Sequence, residues 1–264
     1  MALAFKWRSL LRYTNVVTTA PAARATAEAP HLSLRERKKL RTRQTLTDAA
    51  LEAFTRRGFD NVTLDELCEA AEVSKRTFFR YFTSKEDVAM TPFQDLWETF
   101  LEELESCQPD GRPLLELLRD TLLAALDRMA AEEGWRRRVL LSHRLSQQNP
   151  SIDAHGLHFC GRVTEQAIQI LHRTLDLDDP CDPRPRFLGD LLLAAFRYAL
   201  ADWDRQAGDS DLLTTAPIRG GAQLATMFQA AVAAVPASLT LAANPRATGV
   251  DASLGKLGRR FDGA

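Results

Sequence analysis

The chain has 264 residues, of which 45% are hydrophobic, so it can bury the core of one large domain or of two smaller ones. No stretch approaches 18 uninterrupted apolar residues, which argues against a membrane-spanning helix. Four scattered cysteines (Cys68, Cys107, Cys160 and Cys181) form no Cys-x-x-Cys pair and are typical of reduced thiols. We therefore expect a cytoplasmic protein that does not interact with membranes.

The charge is distributed unevenly, although the net charge is only −1. Residues 1–59 carry 12 lysines and arginines against 4 acidic residues, whereas the remainder of the chain is acidic. Such a split indicates a basic module that meets an anion. A basic leader in front of an ordinary acidic domain would give the same split.

Residues 1–32 contain apolar stretches that are too broken for a secretory signal peptide. They contain arginine and little acid, so a transit peptide is one alternative, and a start codon assigned too far upstream is another. We expect a disordered basic arm and leave it out of the fold.

Residues 33–58 predict a helix with recognisable ends. Ser33 and Glu36 have the spacing of a capping box, and Gly58 is well placed as a left-handed C-terminal cap. The apolar face is built from residues at helical spacing: Leu46, Ala50, Ala53 and Phe54. The front of the helix, RERKKLRTR, holds six cations, which oppose the helix dipole there. These charges either bind another molecule or form a solvated face.

Two short helices, LDELCEAA and KRTFFRYF, follow with a tight turn around Glu72 between them. Thr63 and Glu66 form a capping box for the first helix, and Ser74 caps the second. Short helices joined in this way form a helix-turn-helix, which needs the first long helix to cover its apolar faces.

Rings and cations alternate along the last of these helices. Phe78 and Phe82, four residues apart, face the bundle with Phe79 beside them, while Arg76, Thr77, Arg80 and Tyr81 are expected to look outward. Recognition helices read bases from their N-terminal part, so Arg76 suits guanine and the Thr77 methyl suits thymine. Lys75, Tyr81 and Lys85 suit phosphates.

Residues 33–90 resemble the DNA-binding domain of the TetR family of bacterial transcriptional regulators, above all along ALEAFTRRGFDNVTLDELCEAAEVSKRTFFRYFTSKEDV. Two positions depart from the family pattern. Glu72 replaces the usual glycine, so it must adopt a left-handed conformation or shift the turn. Phe79 replaces a tyrosine, which removes a phosphate-binding hydroxyl that Tyr81 would have to supply. We predict these DNA-binding residues: Arg43, Thr63, Ser74, Lys75, Arg76, Thr77, Phe79, Arg80, Tyr81 and Lys85.

The rest of the chain predicts an all-α fold, with the DNA-binding domain at 33–83 and a regulatory and dimerisation domain at 84–235. Pro92 either kinks the fourth helix or starts a fresh one, and a break there would be a hinge. Further helices are predicted at 113–131, 135–147, 151–175, 184–206 and 217–235. The resemblance implies dimerisation through the last two of these helices. Pro236 is expected to end the last helix, which leaves a flexible tail at 236–264.

Six aromatic residues are candidates to line an apolar pocket for a small apolar or amphipathic effector: Trp97, Phe100, Trp135, Phe159, Phe196 and Trp203. His155, His158 and Cys160 lie close in sequence, but no second cluster of metal ligands accompanies them, so we predict no metal site. No catalytic or cofactor-binding motif is present in the sequence.

The sequence therefore predicts a ligand-responsive repressor that binds a palindromic operator as a homodimer, and neither an enzyme nor a cofactor-dependent protein. The alternative is a helical enzyme or small-molecule carrier with a basic nucleic-acid-binding module.

Overall fold

The computed structural model describes residues 33–175, 179, 181–207 and 221–241, and every regular element among them is a helix. The predicted arm at 1–32, the first residues of the helix predicted at 217–235 and the chain beyond 241 lie outside these described residues. No described helix is long and apolar enough to cross a membrane.

The described helices follow one another in the order that the sequence predicts, which confirms the all-α fold class. Their bounds are α1 Leu34–Arg57, α2 Leu64–Ala70, α3 Lys75–Tyr81, α4 Lys85–Ser106, α5 Leu114–Ala130, α6 Trp135–Gln148, α7 Pro150–Thr174, α8 Arg184–Ala207 and α9 Gly221–Ser238.

The helix starts of the DNA-binding region are the ones predicted. Ser33 and Thr63 each accept a hydrogen bond from the backbone N–H three residues on, and Glu36 and Glu66 complete both capping boxes. Ser74 caps α3 by accepting from the N–H of Thr77. These local bonds fix where each short helix begins, before any tertiary contact is made.

Two of the described positions with positive φ, Glu72 and Gly58, bear on the sequence predictions, and one of them differs from its prediction. Glu72 has φ 53°, so the turn keeps its shape and a non-glycine residue takes the strained left-handed conformation. Gly58 has φ 84° but ψ 145°, which is an extended glycine conformation and not the predicted left-handed cap. Its N–H still closes α1 by donating to the carbonyl of Phe54.

Both prolines that were expected to interrupt helices lie inside them. Helix α4 runs continuously through Pro92, which excludes the alternative of a fresh helix that starts there. Helix α9 continues past Pro236 to Ser238, so the tail does not begin at residue 236.

A three-helix bundle is formed by α1, α2 and α3 around fully buried side chains such as Leu51, Phe54 and Phe78. Helix α1 also packs on α4 and α6, so the bundle is attached to the helices that follow it. The regulatory core has α4 at its centre, in contact with α5, α6 and α7, and the α8–α9 pair closes it on one side. Phe196 of α8 joins the two parts of this core through edge contacts with Trp97 of α4 and Phe228 of α9.

Candidate nucleic-acid interface and effector cavity

Helix α3 is wedged into the bundle by two rings, as predicted. Phe78 is completely buried, Phe82 is nearly so, and their ring centroids lie 5.4 Å apart. A helix of only seven residues is not stable alone, so these rings hold it as a rigid platform.

The outward surface of α3 combines cations with one exposed ring. Lys75, Arg76, Phe79 and Arg80 are all exposed. Phe79, expected beside the inward rings, instead leaves 57% of its surface exposed and touches Phe78 only by an edge contact. An exposed phenylalanine among cations is a surface that favours a partner with both charge and apolar edges.

The three cations of this surface differ in how freely they can bind. Arg76 has no hydrogen-bond or ion-pair partner within the part of the chain that the structure describes. Lys75 forms an ion pair with Asp65 of α2 at 2.7 Å, which raises the pKa of the lysine. Arg80 lies over the ring of Tyr81 at 4.9 Å and donates to its hydroxyl at 3.1 Å. Arg76 is therefore the cation most available to a base edge.

Two of the predicted residues, Thr63 and Ser74, are helix caps, and the Thr77 hydroxyl lies beside that of Ser74. The Ser74 and Thr77 hydroxyls lie 3.0 Å apart, and Thr77 is half-buried. The backbone N–H and the hydroxyl of Thr63 both donate to the carboxylate of Glu66. These two hydrogen bonds, and a third from Arg57, lower the pKa of Glu66 to about 2. The Thr63 oxygen accepts one hydrogen bond, from the N–H of Glu66, and a hydroxyl oxygen can accept two.

Arg43, one of the predicted DNA contacts, forms an ion pair within the protein. Its guanidinium makes a bidentate pair with Asp95 of α4, at 2.7 and 2.8 Å, and lies 5.8 Å from the centre of the Phe82 ring. Its side chain is largely buried and joins α1 to α4, so its contact with DNA stays a prediction. Asp95 was missed because 52 residues separate it from Arg43, and no local sequence pattern links the two.

Lys85, another predicted DNA contact, is also bound within the protein. Its ammonium donates to the backbone carbonyls of Phe59 and Val62 at 3.0 and 2.8 Å and lies 4.5 Å from the centre of the Phe59 ring. The ammonium thus satisfies two carbonyls of the loop between α1 and α2, and its contact with a phosphate stays a prediction. Lys85 ties the start of α4 to the bundle.

The basic front of α1 projects beyond the bundle, because the buried residues of this helix begin only at Leu46. Five cations lie on it without an ion pair to any described residue: Arg35, Arg37, Lys38, Lys39 and Arg41. Together with α3 they give the DNA-binding region an excess of unpaired positive charge.

The regulatory helices contain two cavities, which divide the aromatic residues predicted to line a pocket. Trp97 and Phe100 line a small apolar cavity of about 30 Å³ beside α7 and α8. Trp135 and Trp203 line a larger one of about 370 Å³ at the ends of α5 and α9. Phe159 and Phe196 are buried but are not among the lining residues of either cavity.

The two histidines singled out in the sequence lie on α7. His155 Nε2 lies 3.6 Å from the Asp87 carboxylate in the first turn of α4, and Gln94 donates to the same carboxylate at 2.8 Å. Bonds from His155, Thr83 and Gln94 outweigh burial and lower the pKa of Asp87. His155 therefore contacts the start of α4, and no group of three or more potential metal ligands was found among the described residues.

Comparison with known proteins agrees with this arrangement. The pattern of the family described as "Bacterial regulatory proteins, tetR family" matches residues 46–89, which include α2 and α3. The HTH-type transcriptional regulator TcmR of Streptomyces glaucescens is 35% identical over 202 residues, which are 74% of this chain and 86% of that protein. The HTH-type transcriptional regulator AcrR of Shigella flexneri is 33% identical over 106 residues, 38% of this chain and 46% of that protein.

Among solved structures, a protein of Syntrophomonas wolfei described as a TetR-family transcriptional regulator has the same fold. It matches with a TM-score of 0.50 and 18% identity, over 78% of this chain and 99% of that one. The similarity to TcmR extends through the regulatory helices as well as the DNA-binding helices. The chain therefore belongs to the TetR family of bacterial transcriptional regulators, with α2 and α3 as its helix-turn-helix.

Proposed function

We propose that this protein is a homodimeric repressor that binds a palindromic operator and releases it when a small apolar or amphipathic effector binds to the regulatory helices. The observation that carries the DNA-reading role is Arg76. It is an exposed cation without a described partner, on a helix that two buried rings hold in place. A guanidinium in this position is suited to the O6 and N7 atoms of guanine in the major groove.

The predicted contacts keep different roles in this proposal. Ser74, Thr77 and Phe79 belong with Arg76 on the base-reading side of α3. Other residues supply contacts to the phosphate backbone: Thr63, Lys75, Arg80 and Tyr81. Arg43 and Lys85 are left out, because their charged groups are bound within the protein.

Dimerisation is proposed through the outer face of α8 and α9. Phe187 and Tyr198 of α8 are 61% and 66% exposed, and between them Leu191 and Ala194 continue the same face at helical spacing. Half of the described exposed residues of the adjacent α9 are alanines. An apolar face of this length on two paired helices favours burial against an identical face, with twofold symmetry.

The competing function, a helical enzyme or carrier with a basic module, predicts DNA binding without sequence preference. A gel-shift titration on the DNA upstream of the protein's own gene, against a scrambled duplex of equal length, separates the two. We expect selective retardation that weakens steeply with salt, because phosphate contacts release counterions. Equal retardation of both duplexes would overturn the proposal.

Arg76→Ala tests the base-reading role directly. We expect it to lower discrimination between operator and scrambled DNA by about 1–3 kcal/mol and to relax preference at one position per half-site. Arg173→Ala, which removes the same charge from an exposed position on α7, is the matched control and should bind the operator as the native protein does.

A further inference from the structure

One phenylalanine of the DNA-binding bundle is left in contact with solvent. Phe79 of α3 is 57% exposed, whereas the other four phenylalanines between residues 33 and 83 are at most 4% exposed. A ring that stays in water contributes little hydrophobic free energy to folding, so the stability of the bundle does not account for this residue. The ring is instead available to a molecule outside the chain.

The exposed ring is held in one orientation. It meets the ring of Phe78 edge to face, with the ring centroids 5.5 Å apart and an interplanar angle of 86°. Phe78 is completely buried, and the Ser74 cap fixes the first turn of the same helix. A ring that is already oriented loses little conformational entropy when it binds, which favours a specific contact.

The position of Phe79 on α3 relates it to Arg76. The two side chains are three residues apart, so they lie on the same face of the helix, and both are exposed. Three residues span about 4.5 Å along a helix, and neighbouring base pairs are about 3.4 Å apart. When Arg76 binds a guanine, as proposed above, the ring of Phe79 therefore lies within about two base pairs of that guanine.

The chemistry of a phenyl ring limits what it can bind on DNA. The ring has no hydrogen-bond donor for a phosphate, and its face carries a negative potential that repels an anion. Against a nitrogen or oxygen atom of a base edge, it would displace water without replacing the lost hydrogen bond. The major groove also presents one apolar group, the C5 methyl of thymine, and a phenyl ring gains free energy by covering it.

We propose that Phe79 reads a thymine methyl in the major groove, so that each operator half-site carries a thymine within about two base pairs of the guanine bound by Arg76. This inference rests on the operator-binding function proposed above. Thr77 also carries a methyl, but it is half-buried, and its hydroxyl lies 3.0 Å from that of Ser74. Phe79 therefore offers the larger apolar surface to the groove.

Deoxyuridine tests this contact, because it differs from thymidine only in lacking the methyl. The duplex is the one that the native protein retards selectively in gel shifts, with thymines replaced one position at a time and symmetrically in both half-sites. We expect one position at which the native protein binds about 4-fold more weakly for each methyl removed, the factor that corresponds to burial of one methyl group.

The outcomes separate this inference from the function on which it rests. Selective operator binding that no deoxyuridine weakens would refute the role of Phe79 and leave the repressor function intact. Absence of selective binding to the unmodified DNA would refute the repressor function, and this inference with it.

Variants assign the contact to one residue. Phe79→Ala should bind the thymidine and deoxyuridine operators equally well, and its thermal unfolding should match that of the native protein, because the ring is exposed. Phe79→Leu keeps an apolar side chain and should keep part of the preference for thymidine. Thr77→Ser, the matched control, removes a methyl and keeps the hydroxyl, so it should retain the full preference whatever its overall affinity.

Two results with these variants would overturn the assignment. Loss of the thymidine preference in Thr77→Ser would move the contact to Thr77. Native operator affinity and native thymidine preference in Phe79→Ala would show that the exposed ring serves a partner other than DNA, such as a second protein.

Discussion

At the scale of single residues, two lysines carry the same charge in different surroundings. Lys85 donates to two carbonyls of the loop before α2, whereas Lys75 is exposed and has one ion pair with Asp65. We expect Lys85→Met to lower the free energy of unfolding by about 1–3 kcal/mol, because it leaves these carbonyls unpaired. It should leave the salt dependence of operator binding unchanged.

Lys75→Met is the matched control and should behave in the opposite way. We expect it to change stability by less than about 0.5 kcal/mol and to lower the salt slope of binding by about 1. Urea unfolding and gel shifts at four salt concentrations measure both quantities. A reduced salt slope in Lys85→Met without loss of stability would restore the phosphate role first predicted for it.

Glu98 of α4 predicts a dependence of stability on pH. Burial, and next the nearby charge of Asp95, raise the pKa of Glu98 to about 7, although Arg43 opposes them. The folded protein therefore holds a proton that the unfolded chain releases near pH 4.5, so this group costs stability as pH rises from about 4.5 to 7.

We expect Glu98→Gln to remove that cost. The variant should match the native protein near pH 4.5 and exceed its free energy of unfolding by about 2 kcal/mol at pH 8. Urea unfolding at both pH values measures the difference, and Glu69→Gln, on the exposed side of α2, serves as the control. An advantage of Glu98→Gln that is equal at both pH values would contradict the assignment.

At the scale of whole helices, two ion pairs join α1 to α4 and α6. Arg43 pairs with Asp95 of α4, and the largely buried Arg138 of α6 reaches Asp48 at 3.4 Å. We expect Arg43→Ala to lower the free energy of unfolding by about 2–3 kcal/mol, since Asp95 would remain half-buried without its partner. Arg41→Ala, at an exposed position of the same helix, should cost less than about 0.5 kcal/mol. Equal effects of the two variants in thermal unfolding would argue against this link.

Pro92 weakens α4 at a defined point. It has no N–H, so the carbonyl of Val88 lacks its usual helical partner, while Trp135 of α6 donates to the carbonyl of Pro92 itself at 3.3 Å. The stability of α4 near the DNA-binding bundle therefore depends on its contact with α6. The hinge hypothesis for Pro92 stays a prediction.

We expect Pro92→Ala to slow amide hydrogen exchange in the first half of α4 and to reduce release of the operator by the effector. The physical reason is that alanine restores the missing helical bond and stiffens the helix. Hydrogen exchange by mass spectrometry and operator gel shifts provide the two measurements. Unchanged operator release in a stiffened variant would count against a hinge at this proline.

The proposed dimer face predicts a loss of function at the scale of the whole molecule. Tyr198→Glu places a charge on the apolar face of α8. We expect light scattering to show a monomer. Operator binding should be at least about 100-fold weaker, because a monomer contacts only one half-site. Leu157→Glu adds the same charge to α7, where the native leucine is 49% exposed, and should leave the dimer intact. A dimeric Tyr198→Glu would move the interface elsewhere.

Much of this architecture can be predicted from sequence, because its determinants are local. Capping residues such as Ser74 act within one helical turn, and the four-residue spacing of Phe78 and Phe82 decides which way they face. Arg43 and Lys85 could not be assigned in this way, since their partners are 52 and more than 20 residues away. In the sequence, a cation that binds a backbone carbonyl looks the same as one that binds a phosphate.

Asn149 ends α6, and Pro150 begins α7 directly after it, so no loop separates these helices. An inserted residue at this corner would turn α7 by roughly 100° about its axis and move His155 away from Asp87. Insertions between Cys107 and Pro113 would only lengthen an exposed connection. Differences in length among homologues should therefore accumulate in that connection, while the spacing from Trp135 to His155 stays constant.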